Sequence, residues 1–245
     1  MKDRSKSILE ASVREFIATG KPVTSEQIYS RYSFGIKPAM IRWELHDLAE
    51  SGYFYQNHSS GGRIPRDKAY RFFAREILSV LKDNGSANED SRENSEMSDT
   101  SYLLRHLESG KKKEFVRDLS DDLNVFSACC DVAMGAVYDS GFSELLGVLA
   151  FHDKKELIEI AEDIEMISDR FYERRKWWQE ETEWPQVFVG RNEMTKSRAL
   201  SVLAGKIISA NGDEFAILMI GPKRMDYERS LRLLKELAES DVSIN

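Results

Sequence analysis

The sequence predicts an α+β protein in two unlike parts. A helical N-terminal unit carrying one hairpin is followed by a C-terminal unit in which helices cover an antiparallel sheet. Three observations carry this expectation. Charge is split: residues 1–82 hold 14 Lys+Arg against 9 Asp+Glu, a net of +5, so residues 83–245 carry −12 of a chain whose total is −7. Apolar residues recur at helical spacing before residue 82 and gather into strand-like runs after residue 186. Between the two parts, "DNGSANEDSRENSEMSDTS" (83–101) has six acidic residues and almost no large apolar one. Such a segment buries too little surface to offset the entropy of ordering, so 83–101 reads as an acidic linker or mobile loop.

The N-terminal elements follow in order. Ile8, Leu9, Val13, Phe16 and Ile17 mark a first helix, which Gly20 and Lys21-Pro22 stop. Thr24, with Gln27 three positions on, is a capping-box signature that opens a short second helix reaching Tyr32. Pro38 suits the first turn of a third helix running to about Ser51, where Gly52 ends it. At 100° per residue Ile41, Leu45 and Leu48 fall within about 60° of one another and form its buried stripe. The opposite face then displays Ala39, Met40, Arg42, Trp43, His46 and Glu50. "YFYQNHSSGGRI" (53–64) reads as strand, glycine-centred turn and return strand, and Asp67 opens a fourth helix through Leu81. Three helices, a hairpin and a closing helix make a winged helix-turn-helix over residues 1–82.

In the second part, Tyr102–Leu123 reads as helical with a solvated "GKKKE" turn, and Leu145–Tyr172 as a long amphipathic pattern through Leu157, Ile158, Ile160, Ile164 and Ile167. "FYERRKWW" (171–178) interleaves basic and aromatic residues; a helix end with Trp177 and Trp178 in a core or dimer seam is favoured over stacking on nucleobases or on a partner. "QVFVG", "ALSVLAGKII" and "EFAILMIG" read as strands, with Asn211-Gly212 a hairpin turn between the last two. Pro222 starts a final helix bearing Leu231, Leu234 and Leu237, and Arg224 and Asp226 are placed to pair before it.

Several function classes are not indicated. No run approaches the roughly 18 apolar residues that span a bilayer, and the first sixteen residues are charged throughout, so a cytoplasmic protein without a membrane segment is expected. Cys129 and Cys130 are adjacent, which disfavours a relaxed disulfide and leaves two ligands missing for zinc; they read as ordinary thiols. His46, His58, His106 and His152 lie apart, and no H-x-x-x-H, P-loop or G-x-S-x-G occurs. No enzyme, cofactor or metal site is expected.

The basic N-terminal unit points to DNA. In such a unit the third helix enters the major groove while the basic hairpin reaches neighbouring phosphates or the minor groove. The candidate contacts are Lys37, Ala39, Met40, Arg42, Trp43 and His46 on the helix, with Ser60, Gly61, Gly62, Arg63 and Arg66 on the hairpin. Glycines at the tip would let backbone approach the duplex, and the arginines would supply salt-sensitive phosphate contacts. A helix-helix-hairpin unit also serves as a protein-docking scaffold, so that alternative stays open.

The residues also carry a resemblance. "KPAMIRWELHDLAESGYFYQNHSSGGRIPRDKAYRFF" (37–73) resembles the N-terminal region of the heat-inducible transcription repressor HrcA family, with G-R-I-P and Y-R-F at the family spacing. "MIGPKRMDYERSLRLLKEL" (219–237) is similar to the family's I-G-P-T-R-M-x-Y segment, where a strand of a GAF-like domain passes into its last helix. The resemblance implies a GAF-like regulatory and dimerisation domain over 102–245. It further implies a homodimer on an inverted-repeat operator, repression of chaperone genes and a chaperonin partner. A ligand-responsive regulator of another regulon is the alternative. Met40 stands where the family usually has Thr, Trp43 where it has Asn and Lys37 where it often has Ser, so altered base readout is expected.

Overall fold

A computed structural model describes residues 1–56, 58, 61–84, 97–149, 154–181, 183–209 and 211–239. The chain divides into two compact units, Met1–Glu76 and Ile77–Asn245.

In the first unit, α1 (Asp3–Thr19), α2 (Ser25–Arg31) and α3 (Pro38–Glu50) precede β1 (Phe54–Tyr55), β2 (Ile64–Pro65) and α4 (Asp67–Asn84), whose last residues enter the second unit. Ile8, Leu9 and Val13 of α1, Ile28 of α2 and Ile41, Leu45 and Leu48 of α3 are buried together with Phe54, Tyr70 and Phe73. The capping box at α2 is formed: Thr24 Oγ1 accepts from the Gln27 backbone N–H at 3.3 Å, and Gln27 Oε1 accepts from the Thr24 N–H at 2.8 Å. Two of the four donors that a helix start leaves unpaired are thereby satisfied.

The second unit begins with α5 (Met97–Glu108) and α6 (Lys112–Leu123), then β3 (Phe126–Asp131) and β4 (Val137–Ser140). Helices α7 (Phe142–Val148), α8 (Lys154–Glu165), α9 (Ile167–Glu173) and α10 (Arg175–Glu180) follow, and β5 (Gln186–Val189), β6 (Leu200–Ile208), β7 (Glu214–Pro222) and α11 (Tyr227–Glu239) complete it. The five strands form one antiparallel sheet in the order β4-β3-β7-β6-β5. One face carries Ala128, Cys130, Val202, Ala204, Leu218 and Ile220 against Leu145, Ile160, Ile167, Phe171 and Trp178. Helix α11 packs on β6 and α6 packs on β3 and β4, so helices cover the sheet. Gly212, at φ +82°, makes the turn between β6 and β7 in the left-handed region that glycine tolerates.

Four expectations are corrected by these elements. The segment 83–101 is helical at both ends, because α4 runs to Asn84 and α5 begins at Met97; residues 85–96 lie outside the described residues. Strand β3 escaped the pattern because "FSACCD" buries serine and cysteine rather than large apolar side chains, and β4 because "VYDS" is short and only partly buried. The amphipathic stretch from Leu145 is divided: α7 stands apart, whereas α8, α9 and α10 run on with i to i−4 bonds across Met166 and Arg174. Within that stretch Leu157 and Ile158 are exposed rather than part of the stripe. Asp226, finally, accepts from the Arg229 backbone N–H at 3.0 Å and so caps α11 instead of serving Arg224.

Both cysteines are buried on β3. Burial pushes the Cys129 thiol well above its ordinary value and the Cys130 thiol up to about 11, which makes both poor nucleophiles. Trp178 is 2% exposed and stacks on Phe171 and Trp184, with Trp177 edge-on, so the aromatics of "FYERRKWW" belong largely to the core.

Candidate nucleic-acid interface

Helix α3 has its rotation fixed by a buried carboxylate. Glu44, 1% exposed, accepts from Arg4 Nε at 2.9 Å, Arg4 Nη2 at 2.7 Å and Ser5 Oγ at 2.8 Å, all from α1. Burial alone raises a carboxyl, but the bonds from Ser5 and Arg4 outweigh it and hold Glu44 below the usual carboxylate range. A second buried carboxylate, Glu15 of α1, is reached by Arg31 Nη1 of α2 at 2.8 Å. These ties and the apolar stripe leave one face of α3 outward: Ala39, Met40, Arg42, Trp43, His46 and Glu50 are all exposed, Met40 by 44% and Trp43 by 53%. Lys37 is exposed at the N-cap and makes no side-chain cap, as its lack of an acceptor requires.

The hairpin is short and braced from three sides. Phe54 pairs with Pro65 and Tyr55 with Ile64, while Val23 forms a bridge with Arg63 through bonds of 2.9 and 2.7 Å, extending the ladder to a third segment. At its far end Gln56 Nε2 donates to the Gly61 carbonyl at 2.5 Å, and the Gly61 N–H donates to the His58 carbonyl at 2.8 Å. Ser60 lies outside the described residues.

Gly62 has a structural reason within the unit. A Cβ on Gly62 would stand 2.6 Å from the Pro22 carbonyl carbon and oxygen and 2.8 Å from the Val23 nitrogen. The position needs glycine because the backbone there lies against that of Pro22 and Val23. Arg66 is exposed, yet its Nε donates to the Phe54 carbonyl at 3.3 Å and its guanidinium covers the Tyr55 ring at 5.5 Å, so it also steadies the hairpin.

Arg63 is the unsatisfied member. Its backbone holds the Val23 bridge, but among the described residues its buried Nε has no acceptor, and Nη1 donates to the Gly61 carbonyl at 3.4 Å. Burial and the like charge of Arg42 both push its guanidinium down from the ordinary value. Arg42 in turn donates from Nη2 to Glu26 Oε1 of α2 at 2.7 Å across an exposed pair. An anion beside Arg42 and Arg63 would offset the like charge that the two carry.

Sequence reasoning missed the carboxylate that fixes the site. Glu44 stands three positions after Ile41, about 60° round the wheel and at the border of the apolar stripe, which is the signal that was available. Among the described residues no cluster of His, Cys, Asp or Glu is arranged to hold a metal, and no helix is long and apolar enough to cross a membrane.

The fold so described joins a helical unit bearing a small ladder to a helix-covered antiparallel sheet. A crystal structure described only as that of a hypothetical protein shares it, with a TM-score of 0.68 at 19% identity over 99% of both chains. A family model, the HrcA protein C terminal domain, matches residues 87–231, and the chain belongs to the HrcA family. The heat-inducible transcription repressor HrcA of Pelotomaculum thermopropionicum is 29% identical over 171 residues, covering 70% of this chain and 46% of that protein. That of Caldanaerobacter subterraneus subsp. tengcongensis is 50% identical over 76 residues, covering 31% of this chain and 22% of that protein. The matched part thus spans about half the first relative's length and about a fifth of the second's.

Proposed function

We propose that the chain is a DNA-binding transcriptional repressor, in which residues 1–82 form a winged helix-turn-helix with α3 as recognition helix and β1–β2 as wing. Residues 102–245 form the GAF-like regulatory and dimerisation domain; a five-stranded antiparallel sheet with covering helices supports that part. The observation that carries the proposal is the orientation of α3: the buried Glu44 ties turn Ala39, Met40, Arg42, Trp43 and His46 outward on a unit whose sequence is net basic. Arg63, on the hairpin and beside the like charge of Arg42, is a phosphate contact, as is Lys37. Arg66 and Gly62 act by holding the wing in shape, Gly61 lies at its end, and Ser60, outside the described residues, is kept as a candidate contact from the sequence.

A two-fold protein matches a two-fold operator, so a homodimer bound to an inverted repeat is the expected assembly. The names of the relatives, heat-inducible transcription repressors, suggest heat as the inducing signal. Selection of bound sequences from random duplex DNA tests the proposal. A palindromic consensus is expected, and absence of enrichment at low salt overturns it. A screen of metabolites by thermal shift then separates heat control from a ligand-responsive regulator.

A further inference from the structure

The outward face of α3 is unusual in what it lacks. Its first two turns, the part of a recognition helix that meets base edges, present Ala39, Met40 and Trp43, whose side chains offer a base no acceptor and a single donor, the Trp43 indole N–H. Arg42 is drawn sideways to Glu26, and the exposed Asp47 and Glu50 repel phosphate, which leaves His46 as the polar group of this face that neither carries a negative charge nor is tied to another side chain among the described residues. An exposed Trp beside an exposed Met on a soluble surface is costly to leave wet, since each carries a large apolar area. The flanks, by contrast, are cationic through Lys37, Arg42 and Arg63 within a region of net +5. Apolar in the middle and basic at the sides matches a major groove whose floor carries methyl groups and whose walls carry phosphates.

We propose that Ala39, Met40 and Trp43 form an apolar reading surface for thymine C5-methyl groups, so that sequence is selected by methyl contact more than by hydrogen bonds. This rests on the DNA-binding reading of α3. Thymine is the base that displays a methyl in the major groove, and apolar side chains are its recognised partners. The Glu44 ties matter here, because a helix free to roll would smear such contacts over neighbouring base pairs. No step of chemistry is involved; the affinity comes from removing methyl and side-chain surface from water.

The test uses the full chain and the duplex obtained by selection. Each thymidine of a half-site is replaced singly by deoxyuridine, which deletes the methyl and leaves the pairing edge intact. One or two positions are expected to weaken binding about four-fold each, the worth of one buried methyl group. Trp43→Ala and Met40→Ala should each abolish the deoxyuridine penalty at one position while leaving the salt slope unchanged. A half-site without thymine opposite α3, or deoxyuridine neutral at every position, overturns the inference while the DNA-binding reading stands. If the wild-type chain binds no duplex, both fail. Should sedimentation without DNA show that Trp43→Ala abolishes self-association, the patch is a contact between copies and the inference is overturned.

Discussion

Two helices in different units carry the same device. In α3 the series Ile41, Glu44, Leu45, Leu48 and in α8–α9 the series Ile160, Asp163, Ile164, Ile167 share one spacing, with an acidic residue three positions after an isoleucine. Both carboxylates are buried, both take an arginine and both take a hydroxyl. Glu44 binds Arg4 and Ser5 of a neighbouring helix, and Arg4 keeps 40% of its side chain in solvent. Asp163, 0% exposed, is enclosed: it accepts from Arg170 and from the Thr195 hydroxyl, and from the Lys196 and Ser197 backbone N–H groups at 2.9 Å each. Arg170 passes a further bond, 2.6 Å, to the Met194 carbonyl. The difference shows one pattern put to two uses. In the first unit it sets the roll of a helix whose other face is presented to solvent; in the second it pins a loop, residues 190–199, whose backbone finds few partners in regular structure.

The comparison breaks most sharply at Asp163. Asp163→Asn leaves Arg170 charged, buried and without its anion, and should cost about 3–5 kcal/mol. Urea unfolding followed by the fluorescence of Trp177, Trp178 and Trp184 measures it, and a loss below about 1 kcal/mol would show that the loop is held otherwise. Acid acts on the same contact. Burial pushes the Asp163 carboxyl up, but the donors from Lys196, Thr195, Arg170 and Ser197 hold it below the usual range. A lowered folded value means that the stabilisation is present above the ordinary carboxylate pKa, about 4, and is lost as pH falls through the folded value. Stability of the second unit should therefore be flat above about pH 5 and fall steadily below pH 4.

At Glu44 the effect is smaller because Arg4 can turn to water. Glu44→Gln should cost about 1.5–3 kcal/mol and, beyond stability, lower DNA affinity at temperatures where the first unit remains folded, since α3 loses its ties to α1. A variant equally stable and equally tight in binding would sever the link between the buried carboxylate and the exposed face. The capping box gives the smallest of the three: Thr24→Ala should cost about 1 kcal/mol, read as a shift in the thermal midpoint of the first unit.

The sequence carries these regions unequally, for physical reasons. Helices α1 to α4 are legible because apolar residues recur every three or four positions between recognisable stops and caps such as Gly20 and Thr24. β6 and β7 are legible as apolar runs because they are buried on both faces. β3 was not, since its Ser127 and Cys129 are buried without being strongly apolar. The exposed face of α3 could be placed by the wheel, yet neither Glu44 nor Asp163 could be assigned a partner. Arg4 lies 40 residues before Glu44, and Thr195 lies 32 after Asp163, in a loop with no periodicity. Gly62 was visible as a glycine but not its cause, because the Pro22 backbone that crowds it belongs to a segment 40 positions away that only the ladder brings close.

The account's central claim is that α3 and the β1–β2 hairpin meet duplex DNA, with Arg63 on a phosphate. The most direct measurement is the salt dependence of binding to the selected duplex for the wild-type chain and for Arg63→Ala. Log affinity should fall linearly and steeply with log salt in the wild type, and the variant should bind all sequences more weakly with a slope shallower by about 0.9. An affinity and slope unchanged by Arg63→Ala, or wild-type binding indifferent to salt, would contradict it.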